Sequence, residues 1–208
     1  MNDFGFYLVM TNPVVGYAKC AEAAVKAGVK IIQLRMKHVS REDILREARE
    51  VRRVTLGTNT AFIVNDDPII AAEVGADGVH VGQDDITPSE VRKRFPELKI
   101  VGLSTHNLNQ VIAANDESVD YIGVGPVYAT PTKDIPDPTL GLDTLKAMVS
   151  ASRHPAVAIG GIDIARISDV IKAGAKNFAV VRAVCQSNDP YGAIRLLEEK
   201  YSAMKFML

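Results

Sequence analysis

Short apolar, β-branched runs alternate with longer segments of helical periodicity along the whole chain, and Gly or Asp usually marks the crossing between them. The strand-like runs are Phe6 to Met10, Ile31 to Arg35, Ala61 to Val64, Gly78 to Val81, Ile100 to Leu103, Tyr121 to Val124, Ala156 to Ile159 and Asn177 to Val181. The clearest helix is Arg41 to Val54 behind a Ser40 cap, where Ile44, Leu45, Ala48 and Val51 make one apolar stripe against an Arg and Glu face. A last helix, from Asp189 to about Tyr201, sets Ile194, Leu197 and Tyr201 on one side. A repeated βα unit demands right-handed parallel crossovers, which leaves an open doubly wound sheet or a closed barrel. Eight units of about 25 residues predict a compact α/β fold, the (β/α)₈ barrel, because an open flavodoxin-like sheet needs only about five or six.

Length and composition narrow this further. The 208 residues, 47% of them apolar, suffice for one substantial core, so residues 1–208 read as one catalytic domain with no linker or low-complexity stretch. The formal charge of -1 supplies no field for nucleic acid or an anionic membrane. No apolar run reaches membrane-spanning length, and Met1 to Met10 lacks a basic n-region and a cleavage site, so a soluble cytoplasmic protein is expected. Cys20, in a helix-like stretch, and Cys185, in a strand-end stretch, have no Cys or His at metal-ligand spacing and read as unpaired thiols. Association into homo-oligomers is left open.

Polar residues collect where the strands end. Gln33, Arg35 and Lys37 alternate with Ile32, Leu34 and Met36, which turns a polar face into the barrel mouth. Either this is a solvated strand end, or the cations meet an anion such as phosphate, because burying them unpaired is costly. Asn65-Asp66-Asp67 and Gly82-Gln83-Asp84-Asp85 bring acids to the same mouth. Neighbouring carboxylates repel, and a divalent ion between them relieves this; Mg²⁺ favours one or two carboxylates with waters and phosphate oxygens. The competing assignment makes Asp66 or Asp67 a helix cap and Asp84 or Asp85 a turn residue. Ser104 closes the fifth strand, and the loop Thr130 to Leu140 carries Thr130, Thr132 and Lys133, donors suited to a leaving phosphate. Gly160-Gly161 and Val181-Arg182 end the last two strands, where barrels often hold phosphate on backbone N–H groups, although a tight turn would also use the glycines. His80 reads as a satisfied interior histidine, His38 and His154 as surface residues, and His106 as lining the mouth without forming a nucleophile–base pair with Ser104.

Taken in order, Gln33-Leu34-Arg35-Met36-Lys37, Asn65-Asp66, Gly75 through Asp85, Gly102-Leu103-Ser104, Gly123-Val124-Gly125-Pro126, Thr130-Pro131-Thr132-Lys133 and Ile159-Gly160-Gly161-Ile162 resemble the thiamine phosphate synthase family from about Tyr7 to Tyr201. The resemblance implies a Mg²⁺-dependent joining of 4-amino-2-methyl-5-hydroxymethylpyrimidine diphosphate to hydroxyethylthiazole phosphate. Diphosphate would depart before or as the thiazole nitrogen attacks. It also implies Asp66 and Asp85 as metal ligands, and Arg35, Lys37, Asn65, Ser104 and Lys133 as the grip on diphosphate. Gln33 would touch the pyrimidine, while Thr130, Thr132, Gly161, Val181 and Arg182 would receive the thiazole phosphate. The catalytic burden would fall on Arg35, Lys37, Ser104 and Lys133. The chain departs from the family at Thr11-Asn12, where Thr-Asp is usual, at Arg182, where Ser is common, and at Arg166, where Asn is expected. A thiazole tautomerase on the same scaffold would not need Asp66, Asp85 and Lys133; a non-catalytic thiamine-phosphate-binding protein would keep the cradle without turnover.

Overall fold

A computed structural model describes residues 3–130 and 138–205. Its strands are β1 (Phe6–Met10), β2 (Ile31–Leu34), β3 (Ala61–Asn65), β4 (Gly78–Val81), β5 (Ile100–Thr105), β6 (Tyr121–Val124), β7 (Ala156–Ala158) and β8 (Asn177–Val180). Each runs parallel to the next, and β8 pairs with β1, so the sheet closes into the expected eight-stranded barrel. Around it lie α1 (Tyr17–Ala27), α2 (Arg41–Thr55), α3 (Pro68–Glu73), α4 (Pro88–Arg94), α5 (Leu108–Ala114), α6 (Gly141–Ala151), α7 (Ile167–Lys172), a short α8 (Arg182–Cys185) and α9 (Pro190–Lys205).

The period of two along each strand sorts side chains into two cores. Phe6, Leu8 and Met10 of β1, like Ile32 and Leu34 of β2, face outward into the layer between sheet and helices. Tyr7, Val9, Ile31, Ile63, Tyr121, Val157 and Ala179 fill the barrel interior. Both faces are therefore covered, which is why the strands read as near-continuous apolar runs. Ser40 caps α2 as expected, accepting from the Asp43 N–H at 3.1 Å.

Several strand ends shift by one or two residues. The ladder stops at Leu34, Ala158 and Val180, and continues to Asn65 and Thr105, because pairing depends on the neighbouring strand. Lys37 thus lies beyond the strand, and its place is not set by strand alternation. Cys185 lies in α8, past the strand end; it and Cys20 are both free and buried. His154 is half-buried, not on the surface, and its Nε2 is covered without a hydrogen-bond partner among the described residues. His38 is exposed, as expected.

At the end of the barrel remote from the C-terminal loops, a polar side chain at or just before each of β4, β6 and β8 reaches the backbone at or just before the start of a neighbouring strand. Asp77 accepts from the Phe62 N–H at 2.8 Å, Asp120 from the Val101 N–H at 2.7 Å, and Asn177 from the N–H groups of Phe4 and Gly5 at 2.8 and 2.9 Å. These contacts satisfy strand-start donors that the ladder leaves over. Arg92 joins Asp120 at 2.5 Å. Asp120→Ala strips the Val101 N–H of its side-chain acceptor and Arg92 of its carboxylate partner, leaving Arg92 only backbone carbonyls among the described residues. It is expected to lower unfolding stability by about 2 kcal/mol in denaturant titration, with turnover at the opposite end unchanged.

Candidate active site

The C-terminal strand ends surround a cavity of about 430 Å³. Its floor begins with two phenols, Tyr7 on β1 and Tyr121 on β6, placed inward by strand alternation and joined Oη to Oη at 2.8 Å. Gln33 on β2 donates to the Tyr7 Oη at 2.7 Å. His80 on β4 stacks on the Tyr121 ring at 5.5 Å between centroids and meets its Oη through Nδ1 at 3.0 Å. Its Nε2 reaches the Ser104 Oγ on β5 at 2.9 Å. Burial pushes the phenols of Tyr7 and Tyr121 well above their ordinary values, so both stay neutral. Gly102 makes this cluster possible, since a side chain there would enter the Tyr121 ring and the His80 Nδ1.

A charged group adjoins this floor. Asn65 lines the cavity at the end of β3, and the next residue, Asp66, adopts a left-handed backbone conformation with φ of 64°. That turn directs its carboxylate to an ion pair with Lys37. Asp85 folds back over its own turn and accepts from the Gly82 N–H at 2.7 Å. Partial burial there raises the Asp85 carboxyl above the usual carboxylate range; the Asp66 charge and a side-chain hydrogen bond with Asp66 push the same way, against the Gly82 N–H and Lys37. Asp67 caps α3, accepting from the Ile70 N–H at 2.9 Å, Thr87 caps α4, and Asp85 serves its own turn through the Gly82 N–H. The capping role therefore falls to Asp67 and leaves Asp66 turned toward Asp85.

The opposite wall is built from the ends of β6, β7 and β8. Gly160 and Gly161 hold φ values of 100° and 64°. A Cβ on Gly160 would meet the Pro126 Cα at 2.6 Å, and one on Gly161 the Ala129 oxygen at 2.8 Å, so only glycine lets these chains approach so closely. Arg166 donates to the Gly161 oxygen at 2.7 Å, and its guanidinium lies 4.7 Å over the Tyr128 ring. Val181 and Arg182 complete this wall.

Gln33, Arg35, Asn65, Ser104, Thr130, Gly161, Val181 and Arg182 thus line one cavity, while Lys37, Asp66 and Asp85 cluster immediately beyond Asn65. Thr132 and Lys133 lie outside the described residues. His80 is satisfied, as the sequence suggested, but it also faces the cavity. His106 lines the mouth, bonded through Nδ1 to the Gly125 oxygen at 2.7 Å. Sequence reasoning missed Tyr7 and Tyr121 as site residues, although their inward parity with Val9 and Gly123 was a usable signal. It noted Arg166 only as a departure from the family, and the structure sets that side chain against the glycine turn.

Residues 6–184 match the family model described as Thiamine monophosphate synthase. The thiamine-phosphate synthase of Chloroflexus aurantiacus is 43% identical over 176 residues, covering 85% of this chain and 81% of the relative. That of Thermus thermophilus is 40% identical over 200 residues, covering 93% and 95%. Among solved structures, thiamine phosphate pyrophosphorylase from Pyrococcus furiosus superposes with a TM-score of 0.87 at 27% identity over 98% of each chain. A match over most of the chain, in sequence and in fold, places this protein in the thiamine monophosphate synthase family.

Proposed function

We propose that the cavity joins 4-amino-2-methyl-5-hydroxymethylpyrimidine diphosphate to hydroxyethylthiazole phosphate, as a transferase releasing thiamine phosphate and diphosphate. The observation that carries this reading is one cavity with two differently built anion sites: Arg35 on one side, with Lys37 and the Asp66–Asp85 pair beside it, and the Gly160–Gly161 turn with Arg182 on the other. A phosphate on each substrate requires two such sites. The tautomerase alternative has no use for the paired carboxylates.

Asp66 and Asp85 fit a divalent ion by the chemistry of their donors. Partial burial, and then the Asp66 carboxylate beside it, raise Asp85, and among the described residues no group of three or more His, Cys, Asp or Glu is placed to hold a metal ion. Such a set suits Mg²⁺, which keeps several waters and takes substrate phosphate oxygens. When bound, Mg²⁺ neutralises charge on the diphosphate and makes it a better leaving group. The chain's own groups do the rest. Gln33, with Nε2 committed to Tyr7, lines the cavity, and its Oε1 would serve as the acceptor for an aminopyrimidine. Arg35, Lys37 and Ser104 hold the diphosphate, with Lys133 of the 131–137 segment as a further cation. The bond from the pyrimidine methylene carbon to diphosphate oxygen breaks with its electron pair going to oxygen. The thiazole nitrogen then supplies the pair for the new carbon–nitrogen bond. Thr130, Thr132, Gly161, Val181 and Arg182 orient the thiazole phosphate for that attack, and the Arg166 guanidinium adds positive charge beside them. Pinned on Tyr128, it brings that charge at little conformational cost. A cytoplasmic location belongs to the same reading and suits two buried free thiols. Among the described residues no helix is long and apolar enough to cross a membrane.

Incubating the purified protein with both substrates should yield thiamine phosphate with Mg²⁺ and little without it; absence of product in both tubes defeats the proposal. Asp85→Ala should slow turnover by roughly a hundredfold or more while thermal unfolding changes little. An unchanged rate removes that residue from the metal site. The raised Asp85 carboxyl also sets a pH dependence. The ion binds the deprotonated form, so Mg²⁺ affinity measured by calorimetry should fall as pH drops from about 7 toward about 4, beginning at higher pH than for an ordinary carboxylate. Without the ion the sign reverses: protonated Asp85 favours the folded state, and this contribution is lost as pH rises through the elevated value.

A further inference from the structure

The floor of the cavity holds an unbroken line of hydrogen bonds from Gln33 through Tyr7, Tyr121 and His80 to Ser104, with steps of 2.7, 2.8, 3.0 and 2.9 Å. Its two ends belong to different parts of the site, the Gln33 amide under the pyrimidine and the Ser104 hydroxyl under the diphosphate, so a role for this line in substrate binding rests on the proposed synthase activity. The direction of the line is decided by counting protons. The Gln33 amide nitrogen donates to the Tyr7 Oη, and among the described residues the partner left for the buried Tyr7 proton is the Tyr121 Oη. Among the described residues, Tyr121 then donates to the His80 Nδ1, 3.0 Å away. A neutral imidazole that accepts at Nδ1 carries its proton on Nε2, and that proton goes to the Ser104 Oγ. Among the described residues this leaves the Ser104 proton without an acceptor, and the residue faces the cavity.

We propose that Tyr7, Tyr121 and His80 form a one-way hydrogen-bond relay, set in direction by Gln33, that presents Ser104 to the diphosphate as a donor and makes His80 a positioning residue for this substrate. Reversed, the same line would have Ser104 donate to His80 and offer only lone pairs to an anion, which is repulsive. The relay also couples the subsites: a pyrimidine that donates to the Gln33 Oε1 holds the amide in the orientation that keeps the Ser104 proton available. Burial keeps both phenols neutral, as the relay needs. The stacked His80 and Tyr121 rings, with no side chain at Gly102 to separate them, keep the imidazole in place.

Two measurements on the whole protein test this. Long-range proton–nitrogen correlation spectra of histidine-labelled protein read the tautomer directly, His80 being distinguished from the other three histidines by its loss in His80→Gln. The expected species is the Nε2–H tautomer. Gln33→Met, which removes the donor that sets direction, should populate both tautomers. An Nδ1–H tautomer in the unaltered protein, or a tautomer indifferent to Gln33→Met, overturns the relay. The second measurement is calorimetric binding of inorganic diphosphate with Mg²⁺. His80→Leu should weaken it roughly three- to tenfold and Ser104→Ala by roughly tenfold or more, the range of one hydrogen bond to a charged group. In the Ser104→Ala background His80→Leu should cost less than about twofold more, and His80→Gln, whose amide can reach Ser104, should recover most of the loss. Additive losses without rescue refute the positioning role. If diphosphate binding follows this pattern but no thiamine phosphate forms, the relay stands and the synthase reading fails. Full synthase activity with an Nδ1–H imidazole refutes the relay and leaves the synthase reading intact.

Discussion

The ladder between β1 and β8, with Phe6 opposite Phe178 and Leu8 opposite Val180, turns eight parallel strands into a ring. Once the ring is closed, inward side chains from every strand share one narrow interior, and all C-terminal strand ends open on the same side. Tyr7 and Tyr121 are 114 residues apart and touch only because of this. The direct pairing of β3 with β4 puts the turns after them side by side, so that Asp66 and Asp85 meet, while closure sets the glycine turn after β7 across the cavity from Arg35. Every feature of the site depends on pairing that has no local origin.

Within this frame, charge is distributed so that each unfavourable burial has a partner. Lys37 offsets Asp66, and Asp85 is held by a backbone N–H, yet the two carboxylates still disfavour one another. The residual cost is what a cation and an anion arriving together would relieve. On the far wall the arrangement is different: Arg166 is tied to a backbone oxygen and lies over an aromatic face, and neither contact neutralises its charge. One side of the cup thus suits a metal-bridged anion and the other an anion held directly by backbone and guanidinium groups. Between them the floor joins two neutral phenols to the His80 imidazole and the Ser104 hydroxyl by hydrogen bonds.

Much of this is legible in local pattern. The eight strand runs, the Ser40 cap and the apolar stripe of α2 depend on neighbours within a few residues, and they stand where periodicity puts them. Strand ends are less legible, since Lys37 falls outside β2 and Asn65 inside β3 according to which partner strand is present. His154 reads as a surface residue from its sequence neighbours, but its covering comes from the packed fold. Asp66 and Asp67 are equivalent as sequence; a single left-handed residue separates the one that caps α3 from the one that turns toward Lys37.

By itself the order of residues determined the (β/α)₈ repeat, the chemical kinds of group at each strand end, and the family to which they correspond. These are encoded in short-range periodicity and in motifs whose members lie close together. The tertiary structure alone decided which of those groups meet: the phenol pair, the imidazole between Tyr121 and Ser104, the facing carboxylates, and Arg166 on the glycine turn. The physical reason is that hydrogen-bond direction and electrostatic coupling act over a few ångströms through space, and sequence separation carries no information about that distance until the barrel has closed.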